Sequence, residues 1–284
     1  CFSFPMVLHS LERNPEINRN SEELLLSNRI AVLDQGGQFV DLIQKNAERL
    51  GYPADVIPFD TPAEEIEANY AAVIISGSPA NSQEEQAPMP DKRLWSKEIP
   101  ILGICYGMHA MVTGRGGVVE RGQVRQDGRI KTNVKNSHPL FRDTKETQTA
   151  LFTHGNFVTK IPESFTVIGS HDVEYSDSDG NTQTTKVISA IEDGNHVAVQ
   201  FHPEVFDDTP EGYQLFKNFF SKIANLKPSP ELQEKKTEQQ IESIRANIRE
   251  KVGDKEVIAF VSGGVDSSVA TALAATEIDN SKLH

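Results

Sequence analysis

The chain has 284 residues, 37% of them hydrophobic and 24% charged, with a formal net charge of −13. That length allows one to two domains with an ample core, the acidic balance argues against a nucleic-acid-binding surface, and no apolar run is long enough to span a bilayer. The only cysteines are Cys1 and Cys105, which rules out a disulfide framework and points to a reducing, cytoplasmic compartment.

The sequence starts at Cys1 rather than methionine and so reads as a fragment, with residues 1–28 as a leader. Its apolar opening, Cys1 to Leu8, is too short for a signal peptide and lacks the basic flank of one. From Arg29 the pattern alternates strand and helix. Ile30–Leu33 is an apolar run followed by a turn at Asp34-Gln35-Gly36-Gly37. Phe39, Leu42, Ile43, Ala47 and Leu50 then recur at helical spacing, with Gly51 as a C-terminal cap. Val56–Phe59 reads as a second strand, and Thr61-Pro62-Ala63-Glu64 predicts a capping box with proline at the first helical position. Ala71–Ile75 and Ile101–Ile104 are further buried-strand candidates, separated by the polar stretch 81–91. Such alternation predicts an α/β fold with a doubly wound, mostly parallel sheet and a site at the strand carboxyl ends. After Gly116 the pattern predicts shorter, turn-rich strands, among them Leu151-Phe152 and Val187–Ile191. Gly212–Asn225 then predicts an amphipathic closing helix whose apolar members are Tyr213, Phe216, Phe219, Phe220 and Ile223.

Ile104-Cys105-Tyr106-Gly107 at the end of one such strand has the layout of a nucleophile elbow: a cysteine between Gly103 and Gly107, with helix-compatible residues after it. A thiol there lies near helix N-terminal amides, which favour the thiolate. From this window alone, a buried structural cysteine is an equally good reading. A hundred residues on, Val197 to Glu204 is an alternating segment ending in His202-Pro203-Glu204. A cysteine nucleophile needs a base, and the base needs a third group to fix its tautomer. Proline favours an extended chain at His202, and residues two apart then project from the same side, which brings Glu204 to the His202 ring.

Gly103-Ile104-Cys105-Tyr106-Gly107-Met108 and Gln200-Phe201-His202-Pro203-Glu204 resemble the two motif regions of the class I (triad-type) glutamine amidotransferases, a likeness covering about residues 29–225. It implies that Cys105 attacks the side-chain amide of glutamine, His202 moves protons and Glu204 orients His202. The oxyanion would be held by the backbone N–H of Tyr106 and one from the loop containing Gly77 and Ser78. His109, His154 and Gly155 would help to bind substrate.

Residues 227–240 carry two prolines and read as a linker between an amidotransferase domain (29–226) and a second region (241–284). A charged helix continues through Ile241, Ile244 and Ile248, Val257–Val261 follows as a strand, and Val269–Thr276 forms helix. Between those two lies Ser262-Gly263-Gly264-Val265-Asp266-Ser267-Ser268, a loop at a helix N-terminus suited to an anion. It lacks the lysine of a Walker A loop and resembles the phosphate loop of the ATP pyrophosphatases. By that resemblance the loop amides and Ser267 grip the phosphates of ATP, and Asp266 lies near them through Mg²⁺; no metal ligand is assigned firmly.

An amidotransferase followed by this loop resembles the order of domains in the glutamine-hydrolysing GMP synthase family, as does Thr153-His154-Gly155. The resemblance implies an enzyme whose substrates are glutamine, ATP and XMP, acting as a homodimer when complete. It also implies that a chain ending at His284 carries only the glutaminase half and the first strand-loop-helix of the nucleotide domain. Three residues depart from the family pattern: Ser78 stands for glycine, His109 for glutamine and Asn156 for aspartate. Serine at a positive-φ position would be strained by about 1–2 kcal/mol and would misaim the oxyanion N–H. Two other readings stand beside this one: a glutaminase subunit of another pathway, and a catalytically silent binding module that retains the fold.

Overall fold

The computed structural model describes residues 28–284 except Ser178, Gly263, Asn280 and the side chain of Asp266. The leader expected over residues 1–28 lies outside the described residues except for Asn28, which is buried and donates through Nδ2 to the Lys227 carbonyl (2.9 Å). The chain divides into two units, one ending at Ser229 and one spanning Pro230–His284.

The first unit is built on one nine-stranded sheet, in the order β2-β1-β3-β4-β9-β8-β7-β5-β6. Its parallel part comprises β1 (Ile30–Asp34), β2 (Ala54–Pro58), β3 (Ala72–Ile75), β4 (Ile101–Ile104) and β9 (His196–Val199). β3, β4 and β9 are buried along their whole length, as expected for parallel strands covered on both faces. Alternate residues of β1 feed opposite cores. Ile30 and Val32 pack with α1 (Val40–Arg49), α4 (Gly212–Asn218) and the π turn Phe219–Ile223 that extends α4. Ala31 and Leu33 pack with α2 (Ala63–Asn69) and α3 (Tyr106–Gly114). The sheet is therefore doubly wound. α1 ends as expected, with Gly51 at φ +90° just beyond it.

The other four strands are antiparallel: β5 (Val118–Val134), β6 (Thr147–Lys160), β7 (Thr166–Ser176) and β8 (Thr182–Asp193). They are long rather than the short, turn-rich strands expected. One face is largely solvated and charged, and β5 is broken by an irregularity between Arg121 and Gln126, so the apolar signal along each strand is diluted. The capping box at α2 does not form either. Thr61 Oγ1 donates back to the Pro58 carbonyl (2.7 Å), and the Ala63 N–H is capped by the Asp91 carboxylate (3.1 Å) from 28 residues away. Tyr213, expected on the apolar face of α4, is 44% exposed, while Phe216, Phe219 and Phe220 are buried.

The second unit contains α5 (Pro230–Val252) and α6 (Val265–Glu277), joined by ion pairs from Arg245 and Arg249 to Glu277. α5 begins at Pro230, so most of the expected linker 227–240 is helix; proline at a first helical position loses no hydrogen bond. The expected strand Val257–Val261 is reduced to a single bridge, Val257 with Leu283. Beyond it the Ala259 N–H still donates to the His284 carbonyl (2.8 Å), but no regular strand forms and Phe260 is 92% exposed. No helix among the described residues is long and apolar enough to cross a membrane.

Candidate active site

The carboxyl ends of β1, β3, β4 and β9 lie along one edge of the sheet. The chain runs from β1 out to β2 and back to β3, so the strand order reverses between β1 and β3, where a crevice opens in such folds. There the loops after β1 and β3 meet so closely that a Cβ on Gly37 would lie 2.3 Å from the Gly77 carbonyl oxygen. Gln35 N–H also donates to Ser76 Oγ (3.0 Å).

β4 delivers Cys105 into this crevice at φ +52°, ψ −103°, a conformation that costs a non-glycine residue about 1–3 kcal/mol. The turn is tight because α3 begins at the next residue. A Cβ on Gly107 would fall 2.3 Å from the Ile75 carbonyl oxygen, and one on Gly103 would fall 2.8 Å from the Gly107 backbone. Both elbow glycines are therefore sterically required. The Cys105 N–H donates to the Val199 carbonyl (2.8 Å), tying the elbow to β9.

The chain leaving β9 carries His202 to the same place, its N–H bonded to the Leu151 carbonyl (2.9 Å). His202 Nδ1 bonds Glu204 Oε1 (2.7 Å), and both side chains are almost fully buried. The ring's other nitrogen, Nε2, bonds Thr153 Oγ1 (2.9 Å), and Phe39 packs against the ring edge-on at 5.1 Å. Asn46 Nδ2 holds the Glu204 backbone carbonyl (2.9 Å). Burial opposes a charge on His202, but its polar neighbours, Cys105 and the hydrogen-bonded Glu204 carboxylate, outweigh it and push its pKa up to about 10. His202 is thus a cation at neutral pH, the counter-charge a thiolate nucleophile needs.

These residues line a cavity of about 420 Å³, together with Gly77, Ser78, Tyr106, His109, Arg125 and His154. Tyr106 supplies the first backbone N–H of α3, and Gly77 lies so close to His202 that a Cβ there would come within 3.2 Å of the ring. Ser78 corrects an expectation. It is not among the described non-glycine residues with positive φ, so it carries no left-handed strain, and its Oγ accepts from the Ala80 N–H (3.2 Å).

His109 Nε2 bonds Gln200 Oε1 (2.7 Å), and Gln200 Nε2 donates to Cys105 Sγ (3.8 Å). Burial pulls the His109 pKa down to about 4, so the ring is neutral at pH 7. His154 is likewise neutral, drawn down to about 3 chiefly by burial, and its Nδ1–H donates to the Asn156 carbonyl (2.7 Å). Its Nε2 is consequently a buried acceptor without a protein partner beside the cavity. A Cβ on Gly155 would touch Arg125 Cγ at 3.0 Å. Gln200, Thr153, Arg125 and Phe39 also stand at the site, where their sequence positions did not place them. Gln200 was reachable, because it stands two residues before His202 and so on the same side of an extended chain. Arg125 was not, since only the register pairing Gln126 with His154 brings it to the cavity.

In the second unit, Ser262 and Ser267 hydroxyls lie 3.1 Å apart, and Ser267 and Ser268 both donate to the Gly264 carbonyl (3.0 and 2.9 Å). Gly264 precedes α6 and offers no side-chain cap, and Val265 opens the helix largely exposed to solvent. Gly263 and the Asp266 side chain lie outside the described residues. Among the described residues, no cluster of three or more histidine, cysteine or acidic side chains forms a metal site.

Residues 31–223 match the family profile "Glutamine amidotransferase class-I". The chain is similar to "GMP synthase [glutamine-hydrolyzing]" of Carboxydothermus hydrogenoformans, with 36% identity over 251 residues, covering 87% of this chain and 46% of the relative. The protein of the same description from Thermosipho africanus is 37% identical over 247 residues, covering 87% and 45%. The chain thus spans about half the length of the curated relatives it matches. Among solved structures, a protein from Thermoplasma acidophilum shares the fold with a TM-score of 0.59 at 24% identity, covering 70% of this chain and 94% of that one. A glutamine amidotransferase from Thermotoga maritima gives 0.53 at 18% identity, covering 69% and 97%.

Proposed function

The chain belongs to the class I glutamine amidotransferase family, and we propose on that premise that it is the glutamine-hydrolysing half of a GMP synthase. The observation that carries the glutaminase reading is the convergence of Cys105, in a positive-φ elbow, with a His202 held by Glu204 at 2.7 Å. Cys105 Sγ attacks the side-chain carbonyl carbon of glutamine. The C=O π electrons move onto oxygen, and the Tyr106 N–H and the Gly77–Ser78 loop face that charge. His202 gives its proton to the departing nitrogen, ammonia leaves, and a γ-glutamyl thioester remains. Neutral His202 then takes a proton from water, the hydroxide equivalent displaces the thiolate, and glutamate is released.

The nucleotide half of the proposal rests on the Ser262–Ser268 loop and on the reach of the sequence likeness. A match covering 87% of the chain must extend beyond residue 223, where the amidotransferase segment ends. The loop residues suit a polyphosphate: hydroxyls of Ser262, Ser267 and Ser268 cluster where α6 begins without a side-chain cap. ATP would bring Mg²⁺ with its phosphates and supply the adenylyl group that activates XMP for attack by ammonia. Homodimer formation belongs to the same reading.

Ammonia and glutamate release from glutamine, compared between the wild type and Cys105→Ser, tests the first half; equal rates would overturn it. Glutamine-dependent GMP formation, when the chain is combined with a separate XMP-aminating synthetase, ATP and XMP, tests the second. Glutamine hydrolysis without any stimulation of GMP formation would assign the glutaminase to another acceptor.

A further inference from the structure

His109 stands in the wall of the substrate cavity, and the hydrogen bond it makes through Nε2 is to protein. Its Nε2 is taken by Gln200 Oε1 at 2.7 Å, and Gln200 in turn directs its amide nitrogen at Cys105 Sγ, 3.8 Å away; all three residues are buried. We infer that His109 is a positioning residue for the nucleophile, fixing the Gln200 carboxamide so that an N–H, rather than the carbonyl oxygen, faces the sulfur. This inference rests on the glutaminase reading for its link to catalysis, but not for its geometry.

A carboxamide has two orientations of nearly equal shape and opposite polarity. With nitrogen toward Sγ it donates to a thiolate; with oxygen toward Sγ it repels one. The neighbour at the far end of the amide decides between them. A neutral imidazole carries one N–H, and the tautomer with the proton on Nε2 donates to Gln200 Oε1 and so selects the productive orientation. Burial keeps His109 neutral at pH 7, so the ring adds no charge of its own beside the sulfur. The other groups around Cys105 do not duplicate this role. The His202 cation is shared with Thr153 and Glu204, His154 spends its Nδ1–H on Asn156, and the Arg125 guanidinium is held bidentate by Asp127 (both contacts 2.9 Å). A hydrogen bond to a charged acceptor is stronger than one to a neutral group, and at 3.8 Å from the sulfur about a tenfold effect on its reactivity is expected.

The test uses the full chain and two readouts, glutamine hydrolysis and the rate of Cys105 alkylation by iodoacetamide at pH 7. His109→Leu and Gln200→Leu should each lower kcat about tenfold with KM within about twofold, and slow alkylation by a similar factor. The double variant should be no slower than the worse single one, because both act on one interaction. His109→Gln places an amide N–H where the imidazole Nε2–H stands and should restore both rates to within about threefold. A rise in KM at unchanged kcat would make His109 a substrate contact and overturn the proposal, as would unchanged alkylation in the Leu variants. Because buried substitutions can unfold a protein, ¹⁵N-detected histidine tautomer assignment in the wild type provides a second arm. The Nε2–H form supports the proposal; the Nδ1–H form overturns it, since Gln200 would then turn its oxygen to the sulfur. If the wild type does not hydrolyse glutamine, the proposed function fails, and alkylation and the tautomer still decide the positioning role.

Discussion

Acidification from pH 7.5 to 5 should cost this protein about 5 kcal/mol of folding stability, carried chiefly by three buried histidines. His109, His154 and His171 are each buried, and burial draws their pKa values down to about 4, 3 and 4. At pH 5 all three are neutral in the folded protein, whereas in the unfolded chain they take protons with an ordinary value near 6.5. The unfolded state then binds more protons. Stability is complete above pH 6.5 and declines as the pH falls toward the folded values. A drop of 1.5 pH units below 6.5, at 1.36 kcal/mol per unit, gives about 2 kcal/mol per histidine and about 6 for three. His202 runs the other way. Its folded pKa is raised to about 10, so its stabilisation is complete below pH 6.5 and lost as the pH climbs toward 10. Between pH 7.5 and 5 it regains about 1.4 kcal/mol, leaving a net loss of about 5 against a total stability on the order of 5–15 kcal/mol. Urea unfolding followed by fluorescence of Trp95, the sole tryptophan and a buried one, measures this directly. Equal stabilities at the two pH values, to within about 1 kcal/mol, would refute the reasoning. Replacing one titrating ring in His171→Gln should shrink the pH-dependent loss by about 2 kcal/mol, whatever the variant's baseline.

Three further outcomes are expected. Gly107→Ala forces a Cβ to 2.3 Å from the Ile75 carbonyl oxygen; displacement of the elbow should cut glutamine turnover about 10²-fold and lower the urea midpoint. Glu204→Gln removes the carboxylate that holds up the His202 cation, so kcat should fall about 10²–10⁴-fold and the alkaline limb of the pH–rate profile should move to lower pH. Asp91→Ala deletes the carboxylate that caps Ala63 N–H and Arg93 N–H and should cost about 1 kcal/mol in chemical unfolding, with hydrolysis rates unchanged.

What could be read from the sequence followed from how local the physics was. Strands β1, β3 and β4 were legible because strands buried on both faces are apolar runs and because the elbow announces itself in Gly103 and Gly107. The His202–Glu204 pair was legible because it depends on two residues of extended chain. Strands β5 to β8 were harder, since residues such as Arg121, Arg125 and Arg129 face solvent and interrupt the alternation that would mark a long strand. Caps supplied from afar, such as Asp91 on α2, leave no local trace. The same holds for the hydrogen bond between Gln126 and His171, which stand 45 residues apart. Pro228 and Pro230 mark a break in the chain, but composition does not say that the second of them starts a helix.

The place of β9 in the sheet has a consequence for how this protein is made. β9 is the last strand of this sheet in sequence, yet it lies between β4 and β8 and leads to His202 beside Cys105. A ribosome therefore releases the thiol well before the residues that arm it. Until β9 has inserted, Cys105 lacks both the Val199 carbonyl that anchors its backbone and the His202 cation beside its side chain. The growing chain carries an unarmed cysteine, and nucleophilic power arrives together with closure of the sheet.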